Sequence, residues 1–457
     1  MANNKTRLLA STAALALLAS GGAMASMGNL GTTFGVLPSD QATAGALSMF
    51  NTQASAVYYN PAYLTQDPRG ELTLGVMHAQ PSLTLDSKWS DGSVTRSGTN
   101  VLQDDPSQQM LVGMKTDLSS MTKYKTPTYL AVMIGVEKYG QEMMAFGSET
   151  SQAGQYFEFG RKPMFLVIGG GSTLWRGISG GFSTRVTLHS AATMNATSTM
   201  AGQTSYEMMD VSAQPKIRPI VGLNVDWGKT LCPDKDCWVK GFETALSYRA
   251  FSNSKTTVSS NITIPGTVPS PGVALAITTL DAYQPDIYAL GMLYGKGKNY
   301  RVGLTLEWQR WSALEDELEK DTIKDQAVNA SIGQLEFKDI LVPRIGGEYQ
   351  LNQMVKLSGG LAFSPTPLKS RSSLDINYLD ADKLIAGVGV SLTFPKPYIF
   401  AFPLRVDVGY QYQQMGKETF DLYTSQNPAP GQTVRHYETV ETGGSVNVIS
   451  ASVSLKF

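Results

Sequence analysis

Four arginines, Arg185, Arg249, Arg301 and Arg405, stand in segments where apolar and polar residues take turns, and Arg344 and Lys356 have the same setting. A guanidinium on the polar side of such a segment can neutralise a carboxylate. Glu243, Glu307, Glu348 and Asp407 share that parity, so an internal ion-pair network is the commoner use of such an array. An uncharged ligand would need none of these cations. Catalytic chemistry has less to work with. The three histidines, His78, His189 and His436, are scattered, and no nucleophile motif accompanies them, so no catalytic residue, metal or cofactor is expected. Cys232 and Cys237 lie five apart in "LCPDKDCW". In an exported chain such a pair reads as a disulfide pinning one turn, whereas a metal site would require further ligands.

Export is indicated by the first residues. Lys5 and Arg7 precede the apolar run "LLASTAALALLAS", and Ala23-Met24-Ala25 supplies a small-residue cleavage site. Residues 1–25 are therefore expected to be a signal peptide, with the mature chain starting at Ser26. No later apolar stretch approaches the roughly 18–20 residues of a membrane-spanning helix. The net charge of −1 becomes −3 once Lys5 and Arg7 are lost, and with no basic run nucleic acid is not an expected partner. Charged residues are 16% against a usual share of about 25%, yet mean hydropathy is only −0.12. The deficit is filled by Gly and small polar residues, which suits a barrel wall with one apolar and one polar face.

The alternation is plain at the C-terminus, where Ile449, Ala451, Val453, Leu455 and Phe457 oppose Ser450, Ser452, Ser454 and Lys456. An aromatic final residue on the apolar face resembles the C-terminal signal of bacterial outer-membrane barrels. Tyr300, Val302, Leu304, Leu306 and Trp308 repeat the pattern, as does the run from Tyr398 to Tyr412. Fourteen strands are predicted, near 71–80, 108–115, 127–138, 156–170, 179–190, 216–228, 238–252, 284–295, 299–310, 341–350, 353–364, 383–394, 399–413 and 446–457. Short connections alternate with long ones at 81–107, 191–215, 253–283, 311–340 and 414–445, as periplasmic turns and extracellular loops do. The fold class is an all-β, 14-stranded antiparallel transmembrane β-barrel spanning 69–457. In the fourth long loop, Ser312 and Glu315 form a capping-box pattern ahead of Leu314 and Leu318, which predicts a short helix over the mouth.

Residues 26–68 do not alternate. They are rich in small residues, and a fourteen-stranded lumen is too wide for its own side chains to fill. A helical hatch, or plug, inside the barrel is the expected place for them. Pro61 lacks a backbone donor and disfavours helix at Asn60, so Asn60-Pro61 would end the plug.

The segment "SDQATAGALSMFNTQASAVYYNPAYLTQ" is similar to the N-terminal hatch of the FadL-type outer-membrane transporters, whose Asn-Pro-Ala motif is matched here by Asn60, Pro61 and Ala62. "LEWQRWSAL" and "RIGGEYQLNQMVKLSGGLAFSPTPL" resemble further family segments. The likeness covers the hatch and the C-terminal half, while residues 81–215 match in pattern only. It implies passive uptake of a hydrophobic molecule, a long-chain fatty acid, alkane or aromatic hydrocarbon, across a Gram-negative outer membrane, with lipid and lipopolysaccharide around a monomeric barrel. In that family the hatch shifts and the ligand leaves through a wall gap at the third strand, but here 127–138 alternates cleanly. Met194, Met200, Tyr206, Met208 and Met209 in the second long loop suit a flexible apolar capture groove, or packing of loop on loop. A structural or adhesive barrel without small-ligand transport is the alternative function. A diffusion porin is disfavoured by the hatch.

Overall fold

A computed structural model describes residues 30–457 except 93, 98–105, 124–125, 139–163, 199–203, 235, 265–267, 296–298, 317–335, 370–371, 374–379, 396, 399 and 424–435. The expected signal peptide, residues 1–25, and Met200 lie outside the described residues.

Fourteen antiparallel strands close on themselves. They are β1 (Glu71–Trp89), β2 (Ser107–Asp117), β3 (Thr128–Lys138), β4 (Met164–Trp175), β5 (Ile178–Ser198), β6 (Thr204–Asp226) and β7 (Phe242–Arg249). The circuit continues with β8 (Asp286–Tyr294), β9 (Tyr300–Arg310), β10 (Ile340–Gln350), β11 (Val355–Ser364), β12 (Lys383–Phe394), β13 (Leu404–Tyr423) and β14 (His436–Lys456). β14 pairs with β1 from Glu438↔Trp89 to Lys456↔Glu71, which closes the barrel and leaves no edge. The ladders on both sides of β3 run without a register shift.

The side-chain period of two explains which face is which. Leu72 and Leu74 are 42% and 52% exposed, while Thr73 between them is fully buried. Apolar side chains point outward and polar ones inward, the reverse of a water-soluble barrel and the arrangement a lipid environment requires. Phe182, Leu246, Leu304, Ile345, Leu384 and Ile449 carry the same outward apolar face around the rest of the wall.

Each predicted strand has its counterpart, with shifted ends. β4 continues through 171–175, which were expected as a turn, and the chain reverses at 176–177. β13 begins at Leu404, so Phe400 and Phe402 lie before the strand, because Pro403 has no N–H for the ladder. At the other end the long connections are mostly ribbon rather than loop. β5 and β6 stay paired to Thr197↔Tyr206, and residues 252–264 and 268–284 form a hairpin whose first arm also pairs in parallel with β5. The mouth helix is confined to 313–316 in the described residues. Its capping box does not form: Glu315 accepts from the Phe337 backbone, and Asp339 accepts from Ser312 N at 3.1 Å.

Residues 30–66 occupy the lumen as short helical pieces: α1 (Leu30–Thr33), α2 (Pro38–Ala42), a 3₁₀ turn (Ser48–Phe50), α3 (Ala56–Tyr59) and a second 3₁₀ turn (Pro61–Gln66). Pro38 opens α2, where its missing donor is harmless, and Asp40 Oδ2 accepts from Leu37 N at 3.0 Å. After α2 the chain doubles back through Ala44 and Gly45, both left-handed at φ 48° and 80°.

Candidate functional site: the hatch and its seat

The hatch lies directly on the inner wall because glycines clear a place for it. Gly171, Gly181 and Gly222 are register partners on β4, β5 and β6. A Cβ at Gly171 would stand 2.2 Å from Pro61 O, at Gly181 2.3 Å from Ala62 N, and at Gly222 2.1 Å from Asn60 Oδ1. Ser247, the next partner on β7, donates to Tyr59 O. Across the lumen a second row, Gly346, Gly360 and Gly387 on β10 to β12, receives residues 41–46 of the hatch. There a Cβ at Gly360 would be 2.1 Å from Thr43 O. Asn60 fixes the bend between the last two helical pieces. Its Oδ1 accepts from Ala62 N at 3.3 Å, and its Nδ2 donates to Met49 O at 3.2 Å.

The structure places all of the charged residues singled out by parity on the inner face, and gives each candidate arginine a carboxylate. Arg185 lies 3.6 Å from Glu137, and Arg405 lies 2.8 Å from Asp407. Glu348 bridges Arg301 and Lys356 at 2.5 and 2.6 Å. Glu307 holds both Arg249 (2.6 Å) and Arg344 (3.1 Å). The Arg249 guanidinium also sits 5.1 and 5.2 Å from the ring centres of Tyr58 and Tyr59, within cation–π range. These contacts tie wall charges to the hatch, as do Tyr58 OH donating to Gln284 and Gln53 donating to Asp407.

The hatch root is held separately. Asp67 accepts from Arg69 at 2.7 Å and from Lys456 of the last strand at 2.8 Å. Burial works to raise its pKa, but these two cations hold it well below the usual carboxylate range. Asp40 is the opposite case. It is buried, and desolvation raises its pKa to about 6 although Asn51 and Leu37 N donate to it. Ser48, Ser55 and Tyr59 are its other polar neighbours. A raised carboxylate pKa means the seated hatch binds a proton more readily than a state in which Asp40 meets water. Seating is therefore strongest below about pH 4 and weakens as pH climbs towards 6, by at most about 3 kcal/mol at 1.36 kcal/mol per unit. Single-channel leak through the purified barrel is expected to increase from pH 4.5 to pH 7; a flat profile would remove Asp40 from the seat.

Other expected site residues are arranged differently. Met194 and Met209 are register partners in the β5–β6 ribbon, and Met208 and Tyr206 pair with Asn195 and Thr197, so these residues belong to a hairpin and not to a loop. Cys232 and Cys237 are disulfide-bonded, with Cα atoms 6.3 Å apart. They close a turn whose helix, Trp227–Leu231, is capped by Asp226. Sequence reasoning missed the glycine seat and the pairing of Glu137 with Arg185. The glycines were detectable as Gly at inward parity, where larger polar residues are expected.

Just inside the ribbon end, a cavity lies between α1 (Thr32, Thr33) and a mouth formed by Tyr283, Trp311, Ile340 and Pro367. The Tyr283 and Trp311 rings stand 5.6 Å apart across it. The cavity is small, and residues 30–66 occupy the lumen below it.

Residues 243–457 match the family model described as outer membrane protein transport protein (OMPP1/FadL/TodX). Alkane uptake protein A of Marinobacter nauticus is 48% identical over 437 residues, covering 95% of this chain and 92% of that protein. Among solved structures, a Pseudomonas aeruginosa FadL homologue superposes with a TM-score of 0.56 at 14% identity, covering 94% of this chain and 99% of that one. The P. putida toluene transporter TodX gives 0.51 at 13% identity, covering 93% and 99%. At those identities the structures speak for the fold.

Proposed function

This chain belongs to the FadL-type family of outer-membrane transport proteins, which take up hydrophobic compounds, and we propose that its own cargo is an uncharged long-chain alkane. The relative from Marinobacter supports that choice by name. The observation that carries it is the pairing of the lumenal cations. Arg185, Arg249, Arg301 and Arg405 each already face a carboxylate, so an incoming fatty acid would have to displace one and desolvate its own charge. An alkane meets no such barrier.

In this reading residues 1–25 are removed on export, and residues 26–68 form a hatch that bends at Asn60-Pro61-Ala62. The barrel works as a monomer, since its outward apolar face continues around the wall. The hydrocarbon enters at the ribbon end past Tyr283 and Trp311, and the hatch then shifts to let it by.

Uptake of labelled hexadecane and labelled oleate, in cells lacking their own FadL-type protein, tests this with and without the chain. Hexadecane uptake alone is expected. Oleate uptake alone would return the arginines to a carboxylate-binding role. Asn60→Ala is expected to leave a folded barrel but reduce uptake several-fold, because it removes both bonds that fix the hatch bend, each worth about 1 kcal/mol. Failure to assemble, or wild-type uptake, would count against Asn60 as part of a gate.

A further inference from the structure

The outward face of the wall carries a groove. Across β7, β8 and β9, Tyr248, Tyr288 and Trp308 are register partners, and so are Leu246, Leu290 and Leu306, two residues further from the ribbon end. The ring centres of Tyr248 and Tyr288 are 4.9 Å apart and those of Tyr288 and Trp308 5.2 Å, so the three rings make one shelf. Between the rings and the leucines, Ser247 and Ala289 point into the lumen and their partner Gly222 has no side chain. The floor there is main chain. The result is an open groove of about 490 Å³ on the lipid side of the wall, within the roughly 300–1,000 Å³ of small-molecule sites.

The ribbon end of the groove is polar, and the groups left over there are donors. Arg310 follows Trp308 by two residues on the same face, so it stands about 7 Å beyond the shelf at roughly 3.3 Å per residue. It is exposed. Among the described residues nothing accepts a hydrogen bond from Arg310, from Trp308 Nε1 or from Tyr288 Oη. The neighbouring carboxylates are engaged. Asp286, the register partner of Arg310, accepts from Tyr248 Oη at 2.8 Å and from Phe251 N at 3.1 Å. Asp339 accepts from Ser312 N at 3.1 Å.

From the apolar groove and its donor-rich head we infer a lipid site: an acyl chain of lipid A, the anchor of lipopolysaccharide, lies in the groove, and a phosphate of the same molecule rests on Arg310. Trp308 and Trp311 follow each other on β9 into the mouth, so the groove meets the outer leaflet, where lipopolysaccharide stands. No water is available at that depth to fill the groove, and left bare it would forfeit dispersion contacts along its lining. Any lipid tail restores those contacts. Arg310 adds the choice, because a guanidinium holds a phosphate by a charge-assisted, bidentate pair. Trp308 and Tyr288 offer neutral donors beside it, at the level where an aromatic girdle meets the headgroups. The site does not depend on which cargo passes through the lumen. It does back the wall where Gly222 and Ser247 seat the hatch from inside.

Native mass spectrometry of the full-length barrel tests the proposal. Detergent-washed protein is given bisphosphorylated lipid A, or phosphatidylglycerol at the same concentration. One lipid A molecule is expected to stay bound at collision energies that strip phosphatidylglycerol. Arg310→Gln is expected to lower that retention about tenfold, the usual worth of one charge-assisted pair. Leu306→Trp, which fills the groove, should lower it as far. Leu384→Trp, outward on β12 and 56% exposed, is the control and should keep lipid A fully. Arg310 is exposed and outside the packed lumen, so Arg310→Gln decides the matter even if Leu306→Trp does not assemble. Equal retention of phosphatidylglycerol, or undiminished retention of lipid A by Arg310→Gln, would overturn the site. So would a dimer peak that Leu306→Trp removes, since a second copy of this chain would then cover the groove.

Discussion

Gly222→Val is expected to unseat the hatch while leaving the wall intact. The glycine lies on β6 between Gly181 and Ser247, and a Cβ there would be 2.1 Å from Asn60 Oδ1 and 3.0 Å from Pro61 Cδ. Neither neighbour can rotate away. The proline ring is rigid, and the Asn60 side chain is tied to Ala62 N and Met49 O. Valine is favourable in a strand, so the ladder has no reason to fail, and the strain falls on the hatch. Overpacking commonly costs about 1–3 kcal/mol, and at the upper figure the unseated population rises about a hundredfold, at 1.4 kcal/mol per tenfold. The readout is sensitivity of cells to a bulky water-soluble antibiotic, which should rise strongly while the folded barrel band persists. Gly359→Ala is the control, because its nearest outside atom would be 3.6 Å away and no effect is expected. If Gly222→Val also has no effect, the seat is elastic and the close approach of Asn60 to the wall does not hold the hatch.

The fourteen strands were legible because lipid imposes the period directly. Every second side chain of β9, from Tyr300 to Trp308, must be apolar, and that requirement is local to the strand. The ribbon at 252–284 was not legible for the complementary reason. Its arms stand beyond the wall, held by backbone pairing such as Thr256↔Thr279 and Val258↔Ile277, so no solvent boundary writes an alternation into it. Polar, threonine-rich sequence then reads as loop. The same limit applied at the hatch. Pro61 marks a bend and not the end expected of it, since the hatch runs on through the 3₁₀ turn Pro61–Gln66, and the seat needs Gly171, Gly181 and Gly222 to be neighbours, which only strand register decides.

Charges behaved likewise. Parity alone puts Arg249 and Glu307 on the inner face, but their pairing reaches from β7 to β9 across an intervening strand, and Arg344 joins them from β10. A reading of single strands cannot choose between Glu243 and Glu307 as the partner of Arg249. That choice matters for function, because it decides whether the cation is engaged or available to a ligand.

Glu307→Gln is accordingly expected to be the most damaging single change in the lumen. One carboxylate serves two guanidiniums, Oε1 accepting from Arg249 at 2.6 Å and Oε2 from Arg344 at 3.1 Å, and all three side chains are buried. The amide has the same shape but no charge, and its NH₂ would face one of the arginines. Breaking a buried pair from one side costs about 3–5 kcal/mol, because it leaves an uncompensated charge. The temperature at which the folded band disappears from a gel should therefore fall. Replacing Arg249 and Arg344 by methionine in the same chain should recover much of the loss, since no unpaired charge then remains. Specificity should move too. With their carboxylate gone, Arg249 and Arg344 would favour any anion able to reach them, so oleate binding is expected to appear in a barrel that lacked it, while hexadecane uptake is little changed. If Glu307→Gln instead melts like the wild type and gains no oleate, the two arginines were never held by that carboxylate. The case for an uncharged cargo would then have to rest on the Marinobacter relative alone.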